Sequence, residues 1–257
     1  MAQPARASSE FIHRFGKMLH ENERIDEFTY HAVISKFLHS SDPNDVSAVG
    51  FAYALNDEDD LARAHFIKNL DYGNLTVAQN FIAFIYRKFY FNELREYIFD
   101  FSDNFYVKDF SILAGTEAYR LGYIDLVEKH LSKHASMFSR EDDIQASVSY
   151  RDELVSTLNN VYSSNVCSPE QLQNLGLVTH EILSENKITP ANVSIHADFG
   201  GDYLVQLPNV DPSEIVKLNI ELAERVCAME IMDSCEMIAR YTSKRDGGKD
   251  SIYDYKK

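Results

Sequence analysis

The sequence predicts a mostly α protein: a stack of paired helices followed by a small α+β domain of order α-β-β-α. Three observations carry this. Up to about residue 187 apolar residues recur at helical intervals, with only ten glycines and six prolines in the whole chain to interrupt them. Several positions repeat at an interval of 33 residues. Beyond Asn192 the apolar period switches from helical to alternating.

Taken in order, Phe11, Phe15, Met18 and Leu19 keep helical spacing, and two helices are expected near 8–20 and 24–39. Asp42-Pro43 with Asp45 reads as an N-cap followed by proline in the first helical turn. Ser139 with Asp142 and Ser168-Pro169 with Gln171 read as capping boxes. Leu154, Val155, Leu158 and Val161 line one helix, and Leu172, Leu175, Val178 and Ile182 the next.

Val193, Ile195, Ala197 and Phe199 then alternate with polar residues, and the alternation resumes after Gly200-Gly201 at Tyr203, Val205 and Leu207. That is the pattern of a β-hairpin with a two-residue turn. Asp211-Pro212 caps a last helix, expected over 213–241, with Ile215, Leu218, Leu222 and Val226 on its inner face. The predicted domains are 1–140 (helical repeats), 141–166 (a connecting helix), 167–243 (α-β-β-α) and 244–257 (a flexible tail).

The repeat shows in three columns: Tyr53, Tyr86 and Tyr119; Leu61, Leu94 and Val127; Ala52, Ile85 and Ala118. The run from Gly50 to Phe66 resembles the tetratricopeptide repeat, with Gly50, Ala52, Tyr53, Ala62, Phe66 and Leu70 at that family's packing positions and Asn56-Asp57 at its turn. Val46 stands where the family has Trp, and its closing Pro is missing near Asn74. The copy around Tyr119 is similar. The one around Tyr86 is degenerate, with Arg95 where a small residue belongs. The resemblance covers about residues 42–138 and implies a TPR-like α-α hairpin stack whose first helices line a groove for a peptide or a partner's helix. Positions two before and one after each repeated Tyr are then the groove candidates. Phe51, Phe84, Arg87, Glu117 and Arg120 are the partner-binding residues expected on this basis.

Composition narrows the function. Forty acidic residues against 25 basic ones leave a formal charge of −15, which opposes nucleic acid and anionic membrane and favours a basic partner. Three cysteines, Cys167, Cys227 and Cys235, form no CxxC pair, residues 1–10 lack a signal-peptide pattern, and a cytoplasmic protein is expected. Twelve aromatics between Phe81 and Phe110 exceed what one buried face needs, so these helices are either buried on both sides or offer an apolar patch.

Chemistry is sparse. Asp57-Glu58-Asp59-Asp60 lacks the glycine of a calcium loop and reads as a helix start. His180-Glu181 lacks the second His of a zinc motif, and His196 and Asp198 alternate onto a polar face. Cys227 and Cys235, eight apart on one expected helix, read as core cysteines, and no glycine-rich phosphate loop is present. The expectation is a non-catalytic adaptor, chaperone or regulator that binds a protein partner, with no metal and no cofactor. The alternatives are a homo-oligomer or structural subunit assembled through the aromatic helices, and a metal-dependent enzyme around His180, His196 and Asp198.

Overall fold

Eleven helices and a three-stranded sheet make up the described residues, 7–70 and 73–243, of this computed structural model. The chain is mostly α with a small α+β region at its C-terminal end. The tail expected at 244–257 lies outside the described residues, as does the side chain of Phe199. The chain divides into two compact units, Met1–Tyr97 and Ile98–Lys257, a division that falls inside the stretch read as helical repeats.

The first unit holds α1 (Ala7–His20), α2 (Glu27–Phe37), α3 (Pro43–Leu55), α4 (Asp59–Asn69), α5 (Leu75–Arg87) and the start of α6 (Phe91–Asn104). Asp42 caps α3 as predicted, accepting from the Asn44 N–H at 3.0 Å. α3 and α4 form a hairpin that closes where Gly50 faces Phe66: a Cβ on Gly50 would lie 2.4 Å from the Phe66 ring. Phe66 in turn packs with Phe51, Phe81 and Phe84, ring centroids 5.6–5.9 Å apart. The sequence pattern pairs α1 and α2 as a further hairpin. Their turn closes as a hairpin, with the Glu23 N–H bonded to Met18 O at 2.9 Å and Asn22 at positive φ, and both helices pack chiefly on α3, α1 also reaching α5. Phe15, Met18 and Leu19 bury against that core.

The second unit continues with α7 (Lys108–Arg120), α8 (Ile124–Ala135), α9 (Glu141–Ser163) and α10 (Pro169–Glu185). The α7–α8 hairpin repeats the first: a Cβ on Gly115 would meet Leu131 at 2.4 Å. α10 starts with the predicted capping box, Ser168 and Gln171 each bonding the other's backbone N–H. The box expected at Ser139 is absent. α9 starts one residue later, at Glu141, with Arg140 at the N-cap and three acids in its first turn to satisfy the dipole.

Strands β1 (Asn192–His196) and β2 (Asp202–Leu207) pair antiparallel, with Val193 opposite Val205 and Ile195 opposite Tyr203. Their inward residues Val193, Ile195, Tyr203, Val205 and Leu207 are buried, as the alternation predicted. The turn is longer than predicted. β1 ends at His196 and a 3₁₀ turn, Asp198–Gly200, carries the chain to Gly201, because both glycines hold positive φ (93° and 87°) and the reversal begins at Asp198. α11 (Pro212–Cys227) is capped by Asp211 but ends well short of 241. The residues beyond it form β3 (Ile238–Ser243), parallel to β2, in the order β1-β2-β3. Two parallel neighbours need a helical crossover, and α11 supplies it. The unit is therefore α-β-β-α-β.

The three turns in the repeat stretch close alike, in a register that differs from the tyrosine column. Each hairpin turn closes with the same long bond: Glu58 N–H to Tyr53 O, Tyr90 N–H to Ile85 O, and Tyr123 N–H to Ala118 O, 2.9–3.0 Å. Asp57, Phe89 and Gly122 take positive φ one residue before each donor. Tyr53 is thus the counterpart of Ile85 and Ala118, while Tyr86 and Tyr119 are counterparts of each other. The first copy is one residue out of step with the column. Leu61, placed in a core column with Leu94 and Val127, is accordingly 52% exposed, and its neighbour Ala62 is buried. Of the twelve aromatics between Phe81 and Phe110, six phenylalanines are buried and Tyr106 is exposed.

Candidate functional site

The groove expected on the first helices of the hairpins is occupied by the chain itself. In the first unit Phe51 and Phe84 are buried, 1% and 0% exposed, in the cluster around Phe66; only Arg87 reaches solvent. In the second unit the same face of α7 lies under α10 and the sheet. Glu117 is fully buried; one carboxylate oxygen pairs with the Arg120 guanidinium and the other lies 3.7 Å from His180 Nδ1 on α10. Tyr119 Oη accepts from the Ile195 N–H (3.2 Å), and Tyr203 Oη donates to Arg120 O (3.1 Å). Phe51, Phe84, Glu117 and Arg120 are therefore packing residues. The reason is that α3 and α7 each touch neighbours on nearly every side, which a hairpin motif alone does not reveal.

The enzyme candidates are not brought together. His180 is buried beside Glu117, whereas His196 and Asp198 are exposed at the far end of β1. Among the described residues no three His, Cys, Asp or Glu side chains are grouped to hold a metal. The Asp57–Asp60 run is engaged otherwise: Asp59 accepts from Tyr90 Oη at 2.8 Å and forms an ion pair with Lys88 at 2.9 Å, and Asp60 pairs with Arg63.

Both edges of the sheet are engaged by their structural neighbours. On the β1 side the Ile195 N–H is taken by Tyr119. On the β3 side Asn219 of α11 grips the outward backbone of Tyr241, donating to its carbonyl at 2.9 Å and accepting its N–H at 2.7 Å. Tyr241 Oη reaches back to Thr179 O at 2.8 Å, and burial raises its pKa well above the usual tyrosine value.

This clamp fixes the rotation of α11. Ile215, Leu218 and Leu222 face the core. Arg225 pairs with Glu221 and reaches Glu181 and Glu185 of α10, and its guanidinium holds the Glu185 carboxyl below the usual carboxylate range. What remains outside is a second apolar stripe. Val216 and Ile220 are 58% and 56% exposed, and Ala223 and Cys227 continue the line at solvent. The spacing of four, three and four is that of a coiled-coil seam. Lys217 and Glu224 flank it on one side. The stripe was legible as Val216, Ile220, Ala223 and Cys227, but the inner stripe already explained the helix, so nothing in the pattern marked the outer one as uncovered. No protein-family model, curated protein sequence or solved structure matches the chain.

Proposed function

We propose that the chain is a non-catalytic protein-interaction module that receives an amphipathic helix of a partner protein on α11. The observation that carries this is the outer stripe of Val216, Ile220, Ala223 and Cys227, apolar at seam spacing on a helix already anchored on its other sides. An exposed Val or Ile alone is ordinary; four small and branched apolar residues in one seam are what a docking helix needs. The partner helix is expected to be basic, because residues 98–243 carry 23 acidic and ten basic side chains.

A second reading has its own support. Lys217 and Glu224 lie on the same flank of the seam. Two copies of α11 running antiparallel would set Lys217 of each near Glu224 of the other, a self-complementary dimer.

The test uses a photo-reactive residue at position 220 to cross-link the bound helix, followed by binding of the recombinant partner to the native chain and to Val216→Glu/Ile220→Glu. Both positions are more than half exposed, so the double variant should fold. Loss of binding in the double variant supports the α11 site. Equal binding by native and variant chains refutes it. Light scattering across a concentration series decides the dimer: a mass that doubles in the native chain and not in the variant identifies a second copy as the occupant.

A further inference from the structure

Cys167 and Cys235 are far apart in sequence, yet their Sγ atoms lie 3.6 Å apart. Cys167 directly precedes Ser168, the N-cap of α10, and is 3% exposed; Cys235 is half-buried in the loop between a 3₁₀ turn, Glu230–Met232, and β3. The third cysteine, Cys227, is exposed at the end of α11.

The pairing is held by a network with Gln171 at its centre. Its Oε1 accepts the Ser168 N–H at 2.9 Å, while its Nε2 donates to Ile231 O at 2.8 Å and to Ser234 Oγ at 3.0 Å. One side chain therefore ties the start of α10 to the loop that carries Cys235. Backbone bonds fasten the same loop: Glu236 N–H to Val166 O and Cys235 N–H to Met232 O, both 3.0 Å. The two sulfurs are positioned by their surroundings and are not merely neighbours in a greasy core.

We infer that Cys167 and Cys235 form a redox-active dithiol, with Cys235 the attacking thiol and Cys167 the resolving one, whose co-reactant is a low-molecular-weight disulfide of the glutathione class. The roles follow from exposure, since only Cys235 can be approached from solvent. They also follow from charge. The contact between the two sulfurs, together with the Met237 backbone N–H, lowers the pKa of Cys235, while the same contact and burial raise that of Cys167. Glu236 opposes this in part.

The steps balance. The Cys235 thiolate attacks one sulfur of the small disulfide, a protein–glutathione S–S bond forms, and the first glutathione leaves as thiolate. Cys167 then attacks Cys235 Sγ, its proton passing to the departing second glutathione. The protein dithiol loses two electrons and the small disulfide gains them, giving two free thiols. Closing the pair needs the sulfurs to approach by about 1.5 Å, to the usual bond length of ~2.05 Å. A side-chain rotation in the 233–237 loop can supply this. The bond would fasten the start of α10 covalently to the segment leading into β3.

The experiment treats the reduced full chain with oxidised glutathione and maps the products by peptide mass spectrometry. With Cys227 replaced by Ser throughout, because it is exposed, the otherwise native chain is expected to yield a Cys167–Cys235 cross-linked peptide, Cys167→Ser a single glutathione on Cys235, and Cys235→Ser no modification at Cys167. Should the buried Cys167→Ser variant fail to fold, Cys167→Ala and the order of alkylation in the native chain, Cys235 well ahead of Cys167, replace it. A native chain in which Cys235 keeps its glutathione indefinitely overturns the inference. So does one in which Cys167 is modified as fast as Cys235.

Discussion

Replacing Gly176 by Ala tests the closest approach in the second unit. A Cβ at this position would lie 2.5 Å from the backbone carbonyl oxygen of Arg120 and 3.1 Å from Leu121 Cδ2. A carbonyl at the end of α7 cannot swing aside as a side chain can. α10 must instead withdraw by close to ~1 Å, and overpacking of this kind costs about 1–3 kcal/mol. The withdrawal also strains the Tyr203 Oη bond to Arg120 O, worth about 1 kcal/mol. Against this, alanine is a better helix residue than glycine by about 1 kcal/mol. The net is a loss of about 2 kcal/mol, which lowers Tm by roughly 4–8 °C in a domain of this size. Gly16 on α1 supplies the control, because a methyl group added there would have nothing within 4 Å. There only the propensity gain acts, and Gly16→Ala is expected to stabilise by about 0.5–1 kcal/mol. Thermal and urea denaturation followed by circular dichroism measure both. A Gly176→Ala protein as stable as the native chain, or more so, would refute the close packing of α10 on α7.

Two further perturbations probe the same unit. His130 and His134 are buried against Ser102 and Ser147, and desolvation depresses each pKa to about 4 from an ordinary value near 6.5. Between those values the unfolded chain binds protons the native one does not, so stability should fall as pH drops from 6.5 towards 4, by at most about 1.4 kcal/mol per pH unit for each histidine. Urea unfolding at pH 7 and pH 5 should show that slope in the native chain and a flatter one in His130→Gln/His134→Gln; equal slopes would contradict it. Asn219→Ala removes both bonds to the Tyr241 backbone and should cost about 2 kcal/mol. Hydrogen exchange at the Tyr241 amide should accelerate, and unchanged protection there would show that the clamp does not guard the strand edge.

Most of the local signals in the sequence were sound, the cap expected at Ser139 being the exception. Asp42, Ser168 with Gln171, and Asp211 cap their helices because a short polar side chain needs only its own next turn. Within β1 and β2 the alternation placed Val193, Ile195, Tyr203, Val205 and Leu207 inward because strand period is a local property, whereas Ala197 falls in the turn. The tyrosine column misled by one residue in the first copy. The turns are defined by a positive φ carried by Asp57, Phe89 and Gly122, three residue types that share no visible pattern. β3 was missed because 238–243 becomes a strand only by pairing with β2, and the same residues read equally well as the end of a helix.

The amino-acid sequence by itself determined the helical class, the caps at Asp42, Ser168 and Asp211, the packing glycine Gly50, and the acidic balance. Each of these follows from residues within a turn or two of one another, or from simple addition of charge. Only the tertiary structure decided which faces are covered: that α1 lies on α3, that Glu117 and His180 meet in the interior, that Cys167 finds Cys235, and that the outer stripe of α11 is left bare. Burial is a property of what arrives from elsewhere in the chain, and an apolar residue looks the same in sequence whether its neighbour comes or not.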